Sequence, residues 1–107
     1  MSRLDSFIRR MSAQRDCLNA AKLLIDGRDG VVLELGLGNG RTFDHLRGLF
    51  PERAIYAFDR DLRAHPDCVP DAGHLFLGDL AETLPRAGKL LNGQAVLAHL
   101  DLGSGRP

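Results

Sequence analysis

The sequence has no excess of charge of either sign: Lys+Arg and Asp+Glu stand at 14 each in 107 residues. That balance gives no global field that would draw the chain to nucleic acid or to an anionic membrane. No apolar run approaches the roughly 20 residues that a membrane span requires. Met1-Ser2-Arg3-Leu4-Asp5 lacks the continuous apolar core of a signal peptide. Cysteine is scarce, with Cys17 and Cys68 far apart in different predicted elements. They read as reduced thiols in a soluble cytoplasmic protein rather than as a disulfide. No repeat or low-complexity segment is visible. His45, His65 and His74 show no metal-ligand spacing, so no metal is expected. What is left is the length of one domain, long enough to bury roughly two-thirds of its unfolded surface.

The most informative stretch is Val31-Val32-Leu33-Glu34-Leu35-Gly36-Leu37-Gly38-Asn39-Gly40. Its first half is a short, β-branched-rich apolar run, the pattern of an interior parallel strand covered on both faces. Glu34 interrupts that run at the strand's end, where an unpaired buried carboxylate would be costly. Gly36, Gly38 and Gly40 then let the backbone turn sharply and admit a ligand against it. From Arg41 onward, apolar residues at 43, 46, 49 and 50 have helical spacing, and Pro51 ends the helix. Strand, glycine turn and helix together make the first half of a nucleotide-binding βαβ unit.

On either side the chain alternates helix and strand. Leu4, Phe7, Ile8, Met11, Cys17, Leu18, Ala21, Leu24 and Ile25 recur at helical spacing, with Ser12 as a candidate break between two helices. This apolar stripe is expected to pack on the sheet; a lid over the ligand or the surface of a homo-oligomer is the alternative. A second strand runs over 54–58 to Asp59, followed by a proline-containing stretch with room for a short helix only. His74–Leu77 reads as the third strand. A helical segment broken or kinked near Pro85 follows, then a fourth strand from Ala95 to Leu102. Such alternation argues for a parallel sheet. The fourth strand is too apolar for an open edge, so further strands are expected beyond it or from a partner.

Ligands of open α/β sheets lie at the carboxyl ends of the strands, and this sequence sets Glu34, Asp59, Asp79 and Asp101 at those ends. Arg41 stands where a dinucleotide fingerprint needs its third glycine, and no Gly-Lys-Ser/Thr follows for a Walker loop. Glu34, just before the first glycine, would repel a pyrophosphate. A ligand with an amine near the turn, a ribose diol and an adenine amine suits the acids better. S-adenosylmethionine has all three groups, with Glu34 meeting the amine, Asp59 the diol and Asp79 the adenine. The bland alternatives are a salt bridge or helix cap for Glu34, a turn residue for Asp59 with Asp61 as fallback, and a helix N-cap for Asp79.

Glu-Leu-Gly-Leu-Gly-Asn-Gly resembles the first motif of the class I, Rossmann-like S-adenosylmethionine-dependent methyltransferases. Ile55-Tyr56-Ala57-Phe58-Asp59 resembles their second strand and its ribose acid, at the usual interval of about 25 residues after Glu34. Leu77-Gly78-Asp79-Leu80 resembles their adenine-binding segment, and the layout is also similar to a small bacterial group of unassigned substrate. The resemblance implies an α/β fold: a three-layer sandwich with a mainly parallel sheet ordered 3-2-1-4, preceded by N-terminal helices. It implies a helical segment over 1–30 and a cofactor-binding domain over 31–107, truncated after the fourth strand. The cofactor would be S-adenosyl-L-methionine, held by Glu34, Gly36, Leu37, Gly38, Gly40, Asp59, Arg60, Asp79 and Leu80.

The catalytic end is less defined. Methyl transfer from a sulfonium is an in-line displacement, so the protein chiefly positions the acceptor and removes a proton where needed. Asp101 is the candidate at the end of strand four, with cation binding as its alternative. His99, two residues deeper on the same face, reads as a buried structural histidine before it reads as a base. The Asn-Pro-Pro-Tyr signature of amino-group methylation is absent from these residues, so the motifs name no acceptor; a small molecule of unassigned identity is the expectation. The alternatives are a non-catalytic S-adenosylmethionine-binding or scaffold domain and an aminopropyltransferase-like enzyme.

Overall fold

The computed structural model describes residues 1–100. Asp101 and the end of the expected fourth strand therefore lie outside the described residues. In chain order the elements are helix α1 (Arg3–Leu24), strand β1 (Val31–Leu35), helix α2 (Arg41–Leu49) and strand β2 (Ile55–Asp59). Strand β3 (Leu75–Leu77), helix α3 (Leu80–Leu91) and strand β4 (Ala95–Leu100) complete them. The link from β2 to β3 carries two 3-10 turns, Pro66–Cys68 and Ala72–His74, in place of the expected short helix. The four strands pair in parallel in the order β3-β2-β1-β4, the order the sequence suggests.

Helices cover both faces, which makes three layers. Leu18 and Ile25 from the α1 end of the chain pack with Phe43 and Leu46 of α2 on Val32, Ile55 and Ala57. On the other face, Ala87 and Leu91 of α3 pack on Leu35 and Phe58. Alternation along β1 therefore turns Val32 and Glu34 toward α1 and α2, and Leu33 and Leu35 toward α3. The pairing of β1 with β4 slips by one residue between Val31 and Val32, so Val32 faces Leu97 and Glu34 faces His99. That slip matters for the site.

Helix α1 departs from expectation twice. It runs without a break through Ser12, because no glycine or proline interrupts residues 3–24 and serine costs little in a helix. It starts at a reciprocal cap, in which Asp5 N–H donates to Ser2 Oγ at 3.0 Å and Ser2 N–H donates to Asp5 Oδ2 at 3.2 Å. The apolar stripe, moreover, reaches the core only at its far end. Leu18 is buried, while Leu4 and Ile8 are 66% and 53% exposed. At 1.5 Å per residue the helix is roughly 33 Å long, about twice the span of a five-residue strand, so its first turns overhang the sheet. Helix α3 likewise continues through Pro85. The carbonyl deprived of a partner there belongs to exposed Ala81, which water can satisfy.

Candidate functional site

The glycine turn hangs from the second strand. The amides of Gly36 and Leu37 both donate to the Phe58 carbonyl, at 2.8 and 3.1 Å, while the Leu37 side chain is sealed in the core. Gly38 then rises to the surface in the left-handed region, φ +54°, and a Cβ built on it would meet nothing within 4 Å. Its N–H donates to Asp59 Oδ2 at 2.7 Å, and the N–H of Arg60 donates to Asp59 Oδ1 at the same distance. Asp59 is thus pinned by two backbone donors beside an open stretch of main chain. Asn39 Oδ1 accepts from Arg41 N–H at 3.0 Å and helps start α2.

Asp79 stands at the N-cap of α3, but its carboxylate makes no cap hydrogen bond. It reaches Arg60 instead, Nε to Oδ1 at 3.0 Å, and both side chains are exposed. Gly78 N–H donates to the Asp59 carbonyl at 2.9 Å, which holds the ends of β2 and β3 together. Gly36, Gly38, Asp59, Arg60 and Asp79 accordingly cluster at the carboxyl ends of adjacent strands, where an open α/β sheet takes its ligands.

Four of the expected residues lie beneath this rim. Gly40, φ +85°, is buried, and a Cβ there would come within 2.6 Å of Cys68 Cβ and 3.0 Å of Ala64 Cβ. Its lack of a side chain permits the close packing of the β2–β3 link. Leu37 can offer a ligand its backbone only, and half-buried Leu80 packs against the Leu35–Phe58 cluster. Glu34 is the largest departure: its exposure is 0%. Thr42 Oγ1 donates to Glu34 Oε2 at 2.5 Å, and His99 Nδ1 lies 2.5 Å from Oε1. The carboxylate expected against a ligand amine is instead closed over by α2 and β4.

Sequence reading missed Thr42 and Gln14 as partners in this floor. Gln14 Nε2, from α1, lies 3.3 Å from His99 Nε2. Thr42 carried a usable signal, since it sits in the first turn after the glycines, directly over the strand end. Gln14 carried none. Among the described residues no group of three His, Cys, Asp or Glu is placed to hold a metal ion. None of their helices is long and apolar enough to cross a membrane.

The chain has two clefts worth distinguishing. The larger, about 780 Å³, lies at the opposite end of the sheet, around Gly30, Phe50, Arg53 and Gln94. Arg53 spans it by donating to the carbonyls of Gly30, Ile25 and Arg28, which makes it a loop staple. The smaller, about 190 Å³, opens between α1 and the start of α2 beside Gln14, Arg41 and Thr42. The smaller one is lined by Thr42, which bonds to Glu34 beneath the rim.

The rim fits the adenosyl part of S-adenosylmethionine. The space over Gly38 lets a ligand lie on the backbone, and Asp59 and Asp79 present acceptors for a diol and an amine. Comparisons with known proteins agree. A family model described as S-adenosyl-L-methionine methyltransferase matches residues 1–107. The crystal structure of an S-adenosyl-L-methionine methyl transferase from Silicibacter pomeroyi is 48% identical and superimposes with a TM-score of 0.91. That likeness covers 100% of this chain and 65% of the other, so the chain spans about two-thirds of its relative's length. A search of curated proteins finds no match.

Proposed function

The chain belongs to the S-adenosyl-L-methionine methyltransferase family, and we propose that it forms the cofactor-binding part of an enzyme that methylates a small-molecule acceptor. The observation that carries this reading is the open backbone at Gly38, tied to the Asp59 carboxylate at 2.7 Å. When bound, the cofactor supplies an electrophilic methyl group on a sulfonium sulfur.

The chain's own residues do the holding. Asp59 accepts from the ribose hydroxyls; its orientation is fixed in advance by the amides of Gly38 and Arg60, so little ordering cost falls on binding. The peptide planes around Gly36 and Gly38 support the methionine and ribose portions. Asp79 accepts from the adenine amine, and Arg60 flanks the base, where a guanidinium plane can stack. Arg60 and Asp79 pair with each other across the adenine side, so the base must share Asp79 with Arg60 or displace it. Asp101 remains the candidate for acceptor contact, by its place after β4. The free thiols of Cys17 and Cys68 suit a cytoplasmic setting.

Calorimetric titration of S-adenosylhomocysteine into the chain tests the reading, with NADH and decarboxylated S-adenosylmethionine as controls. Micromolar binding of S-adenosylhomocysteine, without NADH binding, is expected. Preference for the decarboxylated compound would point to aminopropyl transfer. Absence of all binding by a folded chain would count against the cofactor assignment.

A further inference from the structure

Beneath the rim lies an unbroken series of side-chain contacts that links the α1–α2 layer to the sheet. It runs from Gln14 on α1 to His99 on β4, then to Glu34 on β1 and Thr42 on α2. Glu34 closes one end of β1 and Thr42 opens α2, so the bond between them spans the whole glycine turn like a tie bar. His99 reaches Glu34 only because the β1–β4 pairing slips by one residue. Without the slip Ala98 would face Glu34, and His99 would face Leu35. The slip moves the whole pairing of Val32–Leu35 onto Leu97–Leu100.

The protonation pattern is self-consistent. The Gln14 amide nitrogen can only donate, so His99 Nε2 accepts and the ring proton resides on Nδ1, facing Glu34 Oε1. Thr42 donates to the other oxygen. The carboxylate therefore receives a donor on each oxygen while fully buried, the condition under which such a group can be kept in a core. A carboxylate held this way has a fixed orientation, and through Thr42 it fixes where α2 begins relative to β1.

We propose that His99 is a positioning residue for the cofactor: with Gln14 it orients Glu34, and through the Glu34–Thr42 bond it sets the shape of the turn Gly36–Gly40. The seating of α1 is thereby coupled to cofactor affinity through Gln14 and His99. This rests on the cofactor reading above only for its affinity consequence; the effect on the turn stands without it. Gln14 and Thr42 both line the cleft between α1 and α2, so occupancy of that cleft would touch both ends of the series.

The test uses His99→Ala, His99→Asn and Gln14→Ala in the whole chain. An asparagine amide nitrogen can take the place of Nδ1, so His99→Asn keeps the donor to Glu34 and gives up Gln14. The amide resonances of Gly36, Gly38 and Gly40 are recorded without ligand, followed by calorimetry with S-adenosylhomocysteine. His99→Ala should move the glycine resonances and weaken binding about tenfold, as expected when a buried acceptor loses a donor. His99→Asn should restore both in large part. Gln14→Ala should move the same resonances in the same direction by less. Should His99→Ala fail to fold, the other two variants decide. Unmoved glycine resonances in a folded His99→Ala or in Gln14→Ala would overturn the proposal, as would lowered thermal stability in folded variants with unchanged affinity. If the unaltered chain does not bind S-adenosylhomocysteine, the cofactor reading fails, and the resonances still decide the role of His99.

Discussion

Glu34 and Asp59 close neighbouring parallel strands, yet they live in opposite environments. Glu34 is wholly buried and held by side chains from α2 and β4. Asp59 is half-buried and held by two backbone amides beside open space. The difference comes from how far along its strand each acid sits. Both alternate toward the α1–α2 layer, Glu34 with Val32 and Asp59 with Ile55 and Ala57, but Glu34 pairs with Ala57, so Asp59 lies two residues further out, where β2 ends under the glycine turn. An acid at a strand's carboxyl end is thus one sequence signal with two physical outcomes. One builds the floor of the site, the other its rim.

If that division holds, substitutions should separate stability from affinity. The largest effect on folding is expected from Glu34→Ala, which removes the acceptor shared by Thr42 and His99 and leaves a gap in the core. A loss of about 3–4 kcal/mol in denaturant unfolding is the expected size. Asp59→Ala should instead act on the ligand, weakening S-adenosylhomocysteine by about 1.5–3 kcal/mol in calorimetry, with a smaller change in unfolding. Equal stability losses for the two would erase the distinction.

The glycines sharpen the same contrast. Gly40→Ala drives a methyl into Cys68 and Ala64 at a left-handed position, and about 2 kcal/mol of stability should be lost. Gly38→Ala meets open space and should cost about 1 kcal/mol, from backbone strain alone. Gly38→Val should abolish S-adenosylhomocysteine binding in a folded chain, because its branches occupy the space a ligand needs. The smallest effect belongs to Arg60→Ala. Its ion pair with Asp79 is exposed on both sides, so unfolding should change by about 0–1 kcal/mol.

The sequence made the rim legible because its signals are local. An apolar β-branched run, three glycines and an acid about 25 residues further on each declare themselves within a short window. A parallel sheet followed from the alternation of elements, and its strand order from the resemblance. The floor was hidden because its contacts are non-local. Nothing in the pattern of β4 announces the slip that brings His99 opposite Glu34 rather than Leu35. Gln14, one polar residue among many on α1, reaches His99 only through the packing of that helix. The crowding at Gly40 was hidden for a similar reason: it comes from Cys68 and Ala64, well removed in sequence. Helix α1 misled differently. Its period is genuine, but a 22-residue helix outruns the sheet it packs on, so Leu4 and Ile8 keep the spacing of a core without the core.

The most direct measurement is amide chemical-shift mapping of S-adenosylhomocysteine on the labelled chain, because the two ends of the sheet both offer a cleft. Shifts centred on Gly36, Gly38, Asp59 and Asp79, with Gly30, Arg53 and Gln94 unmoved, are the predicted result. Shifts centred on Gly30, Arg53 and Gln94, with the glycine turn silent, would contradict it.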